Sequence, residues 1–342
     1  MARLPALPPN PPPEVPAGSA LSAFKRRAAR LIAAARASRR GERLETWIRA
    51  IGLSLRGQSR AEWAGSAPHR WLLGRPVPVG RAASPKDLRP PRPRQDKAIL
   101  LGRFTFDGLV LEPGQGVEPW DLPSPSRDFA AALHGMAWLP DLLAVPDSER
   151  VALSLVLGWH AVFGRWNGFS WSAPVLERRV FNLACHIEAL CVEASPAEQA
   201  VLLDTLARQA RHLLLGDGSP VRAAEQACAA ALAGCALAGP PGDQLRTQAL
   251  GKLEQALRAT VLPDGGHASR SPEAVMELLF DLRALDEALA QLGREPPQAL
   301  TRAIDRLAGA LRFFTLADGR LPAMQGGEAG DPERIAAALH GR

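Results

Sequence analysis

The stretch SPAEQAVLLDTLARQARHLLLG, residues 195–216, is a helix with both of its ends written into it. Ser195 offers a side-chain oxygen to the unpaired N–H groups of a first turn. Pro196 falls at the first helical position, where its missing N–H costs nothing, and Gly216 is a natural stop. The same opening recurs at Ser271-Pro272, Asp147 is a further start signal, and Gly239 and Gly293 mark further ends. From Pro123 onward this punctuation predicts helices near 127–143, 147–164, 172–193, 196–215, 219–238, 242–261, 272–293 and 297–316. Successive helices of about 20 residues with short connections pack as antiparallel neighbours, so the expected fold is mainly α, made of stacked helical hairpins. A bundle, a solenoid and a closed α/α ring all satisfy that pattern. No exact repeat chooses between them.

N-terminal to these helices the chain changes character. Residues 1–18, MARLPALPPNPPPEVPAG, are proline-rich and predict an extended, disordered tail, because proline removes backbone donors and fixes φ. Residues 19–96 read as basic helices and a linker. One helix carries Phe24, Ala28, Leu31, Ile32 and Ala35 on a single face, and a second includes Leu44, Trp47, Ile48, Ile51 and Leu55. A basic amphipathic helix of this kind is either the solvated face of a packed helix or a contact for a membrane or an acidic polymer. Between 64 and 96 prolines and glycines interrupt every pattern, and RPPRPRQDK at 89–97 reads as a linker or exposed loop. The segment AILLGRFTFDGLVLE, 98–112, is β-rich and broken by Asp107-Gly108, which predicts a short β-hairpin.

Across all 342 residues, 46% are hydrophobic, the range of a chain that buries a core. The formal charge of +6 and a pI near 9.7 favour an acidic partner such as a polyuronate, a nucleic acid or an anionic membrane. The excess is small and sits largely at Lys25, Arg26, Arg27, Arg30, Arg36, Arg39, Arg40 and Arg43, opposed locally by Glu42, so nucleic acid is not the expected partner of the whole chain. The four cysteines, Cys185, Cys191, Cys228 and Cys235, form no C-x-x-C pair and lie inside helical patterns, which predicts buried free thiols rather than a zinc site or a disulfide framework. No metal or other cofactor is implied. Residues 1–18 lack the apolar core of a secretory signal, and no apolar run reaches the roughly 18 residues of a membrane span, which leaves the compartment open and cytoplasmic by default. Nucleophile-elbow, phosphate-loop, zinc-protease and dinucleotide fingerprints are missing from the sequence.

Three stretches concentrate chemistry. GWHAVFGRWNGFSW, 158–171, gathers Trp159, Phe163, Trp166, Phe169 and Trp171, and such a cluster serves either as a platform for a sugar ring or as a core anchor between two helices. ERRVFNLACHIEAL, 177–190, places Arg178, Asn182 and His186 at i, i+4 and i+8 on one helical stripe. A guanidinium, an amide and an imidazole in a row suit a carboxylate and its α-proton, and a plain polar outer face explains the same spacing. LPDGGHASRSPEAVMELLFDL, 262–282, presents His267 and Arg270 in a glycine-rich turn just ahead of a helix N-terminus, a place that attracts anions.

This last segment, with LTRAIDRLAGALRFFTLADGRLPAMQGG at 300–327, resembles the toroid of bacterial heparinase II/III-like proteins, in which a D-G-x-H-x-S-R-x-P-type turn precedes a long helix. RFTFDGLVLEPGQGVEPWDLPSPSRDFAAALHGMAWL and WHAVFGRWNGFSWSAPVLERRVFNLACHIEAL are similar to the same family in order and spacing. The resemblance implies an (α/α) toroid domain over 97–327, followed here by a remnant helix at 328–342. In the family a C-terminal β-sandwich closes the cleft, and acidic, uronate-containing polysaccharide is cleaved by β-elimination. That chemistry needs a group that neutralises the carboxylate, a base for the α-proton and an acid for the leaving oxygen.

Carried over, the resemblance implies Asn182 as the neutralising amide, with His186 and His267 as catalytic neighbours. Arg178, Arg270, Trp159, Trp166 and Trp171 would bind substrate. Two departures follow. The family's Ser-Pro-x-Tyr-His-like helix start reads Ser271-Pro272-Glu273-Ala274-Val275 here, and the chain holds no tyrosine. Residues beyond the helical part are too few for the β-sandwich, so that domain is expected to be missing or to lie on a separate chain. The expected function is therefore a lyase-type domain, incomplete or inactive by itself, or a non-catalytic domain for acidic glycan or another partner. The family also allows a periplasmic location.

Overall fold

The computed structural model describes Ser59 and residues 61–90, 96–216 and 220–340. The tail predicted over 1–18 and the basic helices predicted between 20 and 56 lie outside the described residues, as does the middle of the 89–97 stretch. The chain divides at Ala64 and Gly65, and the fold below is that of the unit beginning at Gly65.

In chain order the helices are α1 (Ala67–Leu73), α2 (Asp96–Leu100), α3 (Arg127–His134), α4 (Leu139–Leu143), α5 (Glu149–Phe163), α6 (Ala173–Val192), α7 (Pro196–Leu215), α8 (Ala223–Ala236), α9 (Pro240–Thr260), α10 (Pro272–Gln291), α11 (Gln298–Phe314) and α12 (Pro332–His340). Strands β1 (Phe104–Phe106) and β2 (Leu109–Leu111) pair antiparallel with Phe106 opposite Leu109. Asp107 and Gly108 between them have φ of +48° and +76°, the two positive values of a type I′ turn. β1 buries Phe104 and Phe106, and the Phe106 ring meets Phe129 of α3 edge-on at 5.0 Å.

Helix starts follow the sequence signals closely. Ser195 and Glu198 form a full reciprocal capping box at α7, and Ser271 caps α10. α10 ends in a Schellman turn: Gly293 has φ +62°, its N–H bonds Ala290 O at 2.9 Å, and the Arg294 N–H bonds Leu289 O at 2.9 Å. Two signals read differently in three dimensions. Asp147 adopts φ +62°, and the residue capping α5 is Ser148, whose hydroxyl donates to Leu142 O at 2.7 Å. Gly239, with φ +77°, opens α9 rather than closing α8, which has already ended at Ala236.

The single helix predicted over 127–143 is two. The chain breaks at Gly135 and Met136, where Met136 takes φ +56° although its side chain is fully buried. α6 supplies donors to the carbonyls there: Arg179 Nη1 donates to His134 O at 2.8 Å, and Asn182 Nδ2 donates to Gly135 O at 2.9 Å and to Met136 O at 3.1 Å, the last also accepting from the Leu139 N–H at 3.1 Å. Donors supplied across the packing interface replace those of the next helical turn.

α8 is the hub. Every residue from Ala224 to Ala236 is buried, and the helix packs on α6, α7, α9 and α10. Its alanine-rich sequence, AAEQACAAALAGCA, permits that crowding, as a helix apolar all round is an enclosed one. The approach to α9 depends on glycine: a Cβ at Gly234 would lie 2.5 Å from Arg246 N, and one at Gly242 would lie 1.9 Å from Leu237 O.

The proline-rich stretch before α2 is structural. Ala82 N–H bonds Ala236 O at 2.9 Å and Ala83 N–H bonds Cys235 O at 3.0 Å, closing the end of α8. Ser84 exchanges backbone bonds with the Gln291 side chain at the end of α10. Arg89, placed by sequence in a linker or exposed loop, is instead delivered into the interior, with only 8% of its side chain exposed. An extended segment seals helix ends here through its backbone, which needs no periodic pattern in the sequence.

Candidate functional site

The inner stripes of α6 and α10 face each other through a buried network of charge. Asp281 of α10, 1% exposed, receives Arg178 of α6, whose Nη2 is 2.9 Å from both carboxylate oxygens, and Arg89, whose Nη2 is 2.5 Å from Oδ1. One turn earlier Glu277 accepts from Arg89 Nε at 2.9 Å and from Arg334 of α12 at 2.7 Å. Arg89 also pairs with Asp87 at 3.0 Å and lies between the rings of Phe181 and Phe280, 5.0 and 5.1 Å from their centroids. Burial alone would raise the Glu277 pKa, but Arg89, Arg334 and Arg178 together hold it down at about 2.

A second group adjoins the first through neighbouring residues of α6. Glu177 is fully buried, accepts from Arg222 Nε at 2.8 Å, and leaves Oε2 without a partner. Burial pushes its pKa up to about 7, with Arg222 opposing and Glu225 reinforcing the rise. His267 is 1% exposed. Its Nδ1 accepts from the Ser269 N–H at 3.1 Å and lies 2.7 Å from Ser269 Oγ, so the ring hydrogen sits on Nε2. Nε2 is 3.3 Å from Glu225 Oε1 of α8, close enough for attraction but out of line for a hydrogen bond.

The residues singled out from sequence thus occupy distinct settings. Arg178, Asn182 and His186 do share a stripe of α6, and it faces inward. Arg178 is tied to Asp281, and Asn182 to the α3 break. His186 is half-buried, with Nδ1 2.9 Å from Asn182 O and a pKa lowered by burial. Arg270 turns outward with φ +62° and pairs with Asp264 at 2.9 Å, both side chains exposed. Trp159 is fully buried beneath the Arg179 guanidinium, 4.1 Å from its ring, and its indole N–H donates to His134 Nδ1 at 3.1 Å. Trp171, 5% exposed, donates to Phe163 O at 3.0 Å, and Trp166 is half-buried against the core. In this arrangement Trp159 and Trp171 present no open ring face. They act as core anchors between α5 and α6.

Residues with as much claim to chemistry went unnoticed in the sequence: Glu177, Glu225, Glu277, Asp281 and Arg89. The signal available was a carboxylate inside an otherwise apolar helical run. Glu177 Oε2 and His267 Nε2 are among the deeply buried polar atoms without a hydrogen-bond partner, as are Arg179 Nη2 and Thr260 Oγ1. All four cysteines are buried thiols, and no group of three His, Cys, Asp or Glu side chains is assembled to hold a metal among the described residues. No described helix is long and apolar enough to cross a membrane.

No protein-family model matches the chain. FtsZ-localized protein C of Caulobacter vibrioides (strain NA1000 / CB15N) is 54% identical over 292 residues, which are 85% of this chain and 51% of that protein. The chain therefore spans about half the length of the curated relative it matches. Among solved structures, a mutant of heparan sulfate lyase HepC from Pedobacter heparinus aligns with a TM-score of 0.52 at 18% identity, over 77% of this chain and 45% of the lyase. A heparinase III structure aligns with a TM-score of 0.54 at 17% identity, over 66% of this chain and 38% of that one. At such identity the likeness is one of fold: the helices here are arranged as in the helical toroid of those lyases, a partial (α/α) toroid.

Proposed function

We propose that this chain is a non-catalytic, heparinase-like toroid domain that serves as a binding or interaction module for an acidic glycan or a protein. The observation that carries this reading is the use made of Asn182. The amide that the family resemblance assigns to neutralising a uronate carboxylate directs its N–H groups to the carbonyls of Gly135 and Met136. The companion groups are engaged as well, since Arg178 is paired with Asp281 and His267 is enclosed beside Glu225. The phenolic acid of the family is missing, as the chain has no tyrosine. β-Elimination needs all three groups free to meet one sugar ring.

The test is to incubate the chain with heparan sulfate, alginate and hyaluronan and follow the ultraviolet absorbance of the unsaturated uronate product. A flat trace together with retention of the chain on one of these glycans is the expected result. A rise in absorbance that Asn182→Ala removes would restore the lyase reading and sink this one.

A second reading concerns location. The relative at 54% identity is named for its localisation to FtsZ, which supports a role for this chain at the same place. A fluorescently tagged chain is then expected to coincide with FtsZ in cells. A uniform distribution would remove this reading and leave the first untouched.

A further inference from the structure

The C-terminal part of α9, the turn after it and α11 frame a cleft of about 430 Å³. Its floor is carbon: Leu257, Val261 and Ala303 are each no more than 5% exposed. Its walls carry Arg258 from α9 and Arg302 and Arg306 from α11, and no carboxylate lines it. Arg302 is bonded to the neutral amide oxygen of Gln298, and neither Arg258 nor Arg306 is in an ion pair among the described residues. Arg302 and Arg306 are four residues apart on one helix face, a like-charge spacing that repels unless an anion lies between.

The cleft is held in shape by the turn that leads into α10. Gly265, with φ +80°, sits so close to α11 that a Cβ there would be 2.3 Å from Arg306 O. The backbone carrying Arg306 is thereby fixed against the turn that follows Val261. Three arginines from two helices border this one cleft and offer forked donors suited to a group with three outer oxygens, which a carboxylate lacks. The apolar floor suits the carbon skeleton attached to such a group, and the volume suits a ligand of sugar size.

We propose that Arg258, Arg302 and Arg306 form a binding site for a phosphate or sulfate ester of a sugar-sized molecule, outside the inner stripe that the family resemblance singles out. The inference stands apart from the reading above, which rests on Asn182 and its neighbours. Isothermal titration of the full chain at low ionic strength with glucose 6-phosphate, inorganic phosphate, inorganic sulfate and glucuronate tests it. Saturable binding of glucose 6-phosphate is expected, weakened about tenfold or more in Arg258→Gln and in Arg306→Gln. It is expected to be unchanged in Arg127→Gln, an exposed arginine on α3. All three side chains are exposed, so the variants keep the fold, which an unchanged circular dichroism melt verifies. The ratio of phosphate to sulfate binding tells the two esters apart. Absence of saturable binding, equal weakening by Arg127→Gln, or glucuronate binding as tightly as glucose 6-phosphate would overturn the proposal.

Discussion

Arg178 and Asp281 meet across the interior with one guanidinium nitrogen 2.9 Å from both carboxylate oxygens, although 103 residues separate them in the chain. Asp281 also receives Arg89, so its charge is the shared counterweight of two enclosed guanidinium groups. Asp281→Asn removes that charge, leaving Arg178 without its paired carboxylate and Arg89 with Glu277 and Asp87 alone. A loss of roughly 3–5 kcal/mol is expected, as when one member of a buried pair is deleted. Urea unfolding of the variant measures it, and a loss near zero would mean that the network contributes nothing to the fold.

Asn182 separates a structural role from a chemical one. Asn182→Ala takes the side-chain donor from Gly135 O and leaves Met136 O with the Leu139 N–H alone, and is expected to cost about 1–3 kcal/mol. Asn182→Asp at neutral pH puts an acceptor where two acceptors already point, and is expected to cost more. If Asp is tolerated better than Ala in chemical denaturation, the clamp on Gly135 and Met136 is not what the residue is for.

Glu177 gives the chain a pH signature. Its folded pKa, about 7, lies above the ordinary value of 4.5, so between those values the folded state binds a proton that the unfolded state does not. Stability from this group is full below about 4.5 and is lost as pH rises through 7, with a slope of at most about 1.4 kcal/mol per pH unit. Glu177→Gln, which mimics the neutral form, is expected to gain on the wild type from pH 5 to about pH 7 and to hold that gain at higher pH. Parallel stability profiles for the two proteins would contradict the assignment.

His134 and His212 act with the opposite sign. Burial, helped by Arg179 at both and by His69 at His212, lowers each pKa to about 4. The unfolded chain takes up protons from 6.5 downward while the folded chain does not, so stability falls as pH drops from 6.5 to 4. Replacing His212 by Gln is expected to flatten that limb of a melting-temperature profile, and an unflattened limb would show that His212 is not buried neutral.

Much of the helical frame was legible in the chain, and the reasons are local. Ser195-Pro196 and Ser271-Pro272 act through orphan N–H groups within one turn, and Asp107-Gly108 through its own φ angles. The break at Gly135 was hidden because apolar residues continue through FAAALHGMAWLPDLL, and what ends the helix there is Arg179 and Asn182, more than forty residues away. The site was harder still. The stripe of Arg178, Asn182 and His186 was visible by spacing, but what each meets was not, since Asp281 and Arg89 arrive from remote parts of the chain. Arg89 in particular lay in a proline-rich stretch whose lack of periodicity looked like slack.

Two glycines test the packing of α8 directly. Gly234→Ala sets a methyl group 2.5 Å from Arg246 N, and a loss of about 1–3 kcal/mol is expected for such overpacking. Gly251→Ala on the exposed side of α9 meets nothing within 4 Å and is expected to add roughly 0.5–1 kcal/mol by stiffening the unfolded chain. Equal effects at the two positions in thermal melts would show that α8 and α9 are not as closely seated as described.

The enclosure of α8 also bears on how this domain handles force. A helix gripped on every side offers no lubricated face along which α6, α7, α9 or α10 can slide, and close-packed interiors move between discrete arrangements rather than yielding gradually. Load on any one of these four helices is therefore expected to be shared with the others through α8, rather than released by one helix slipping alone.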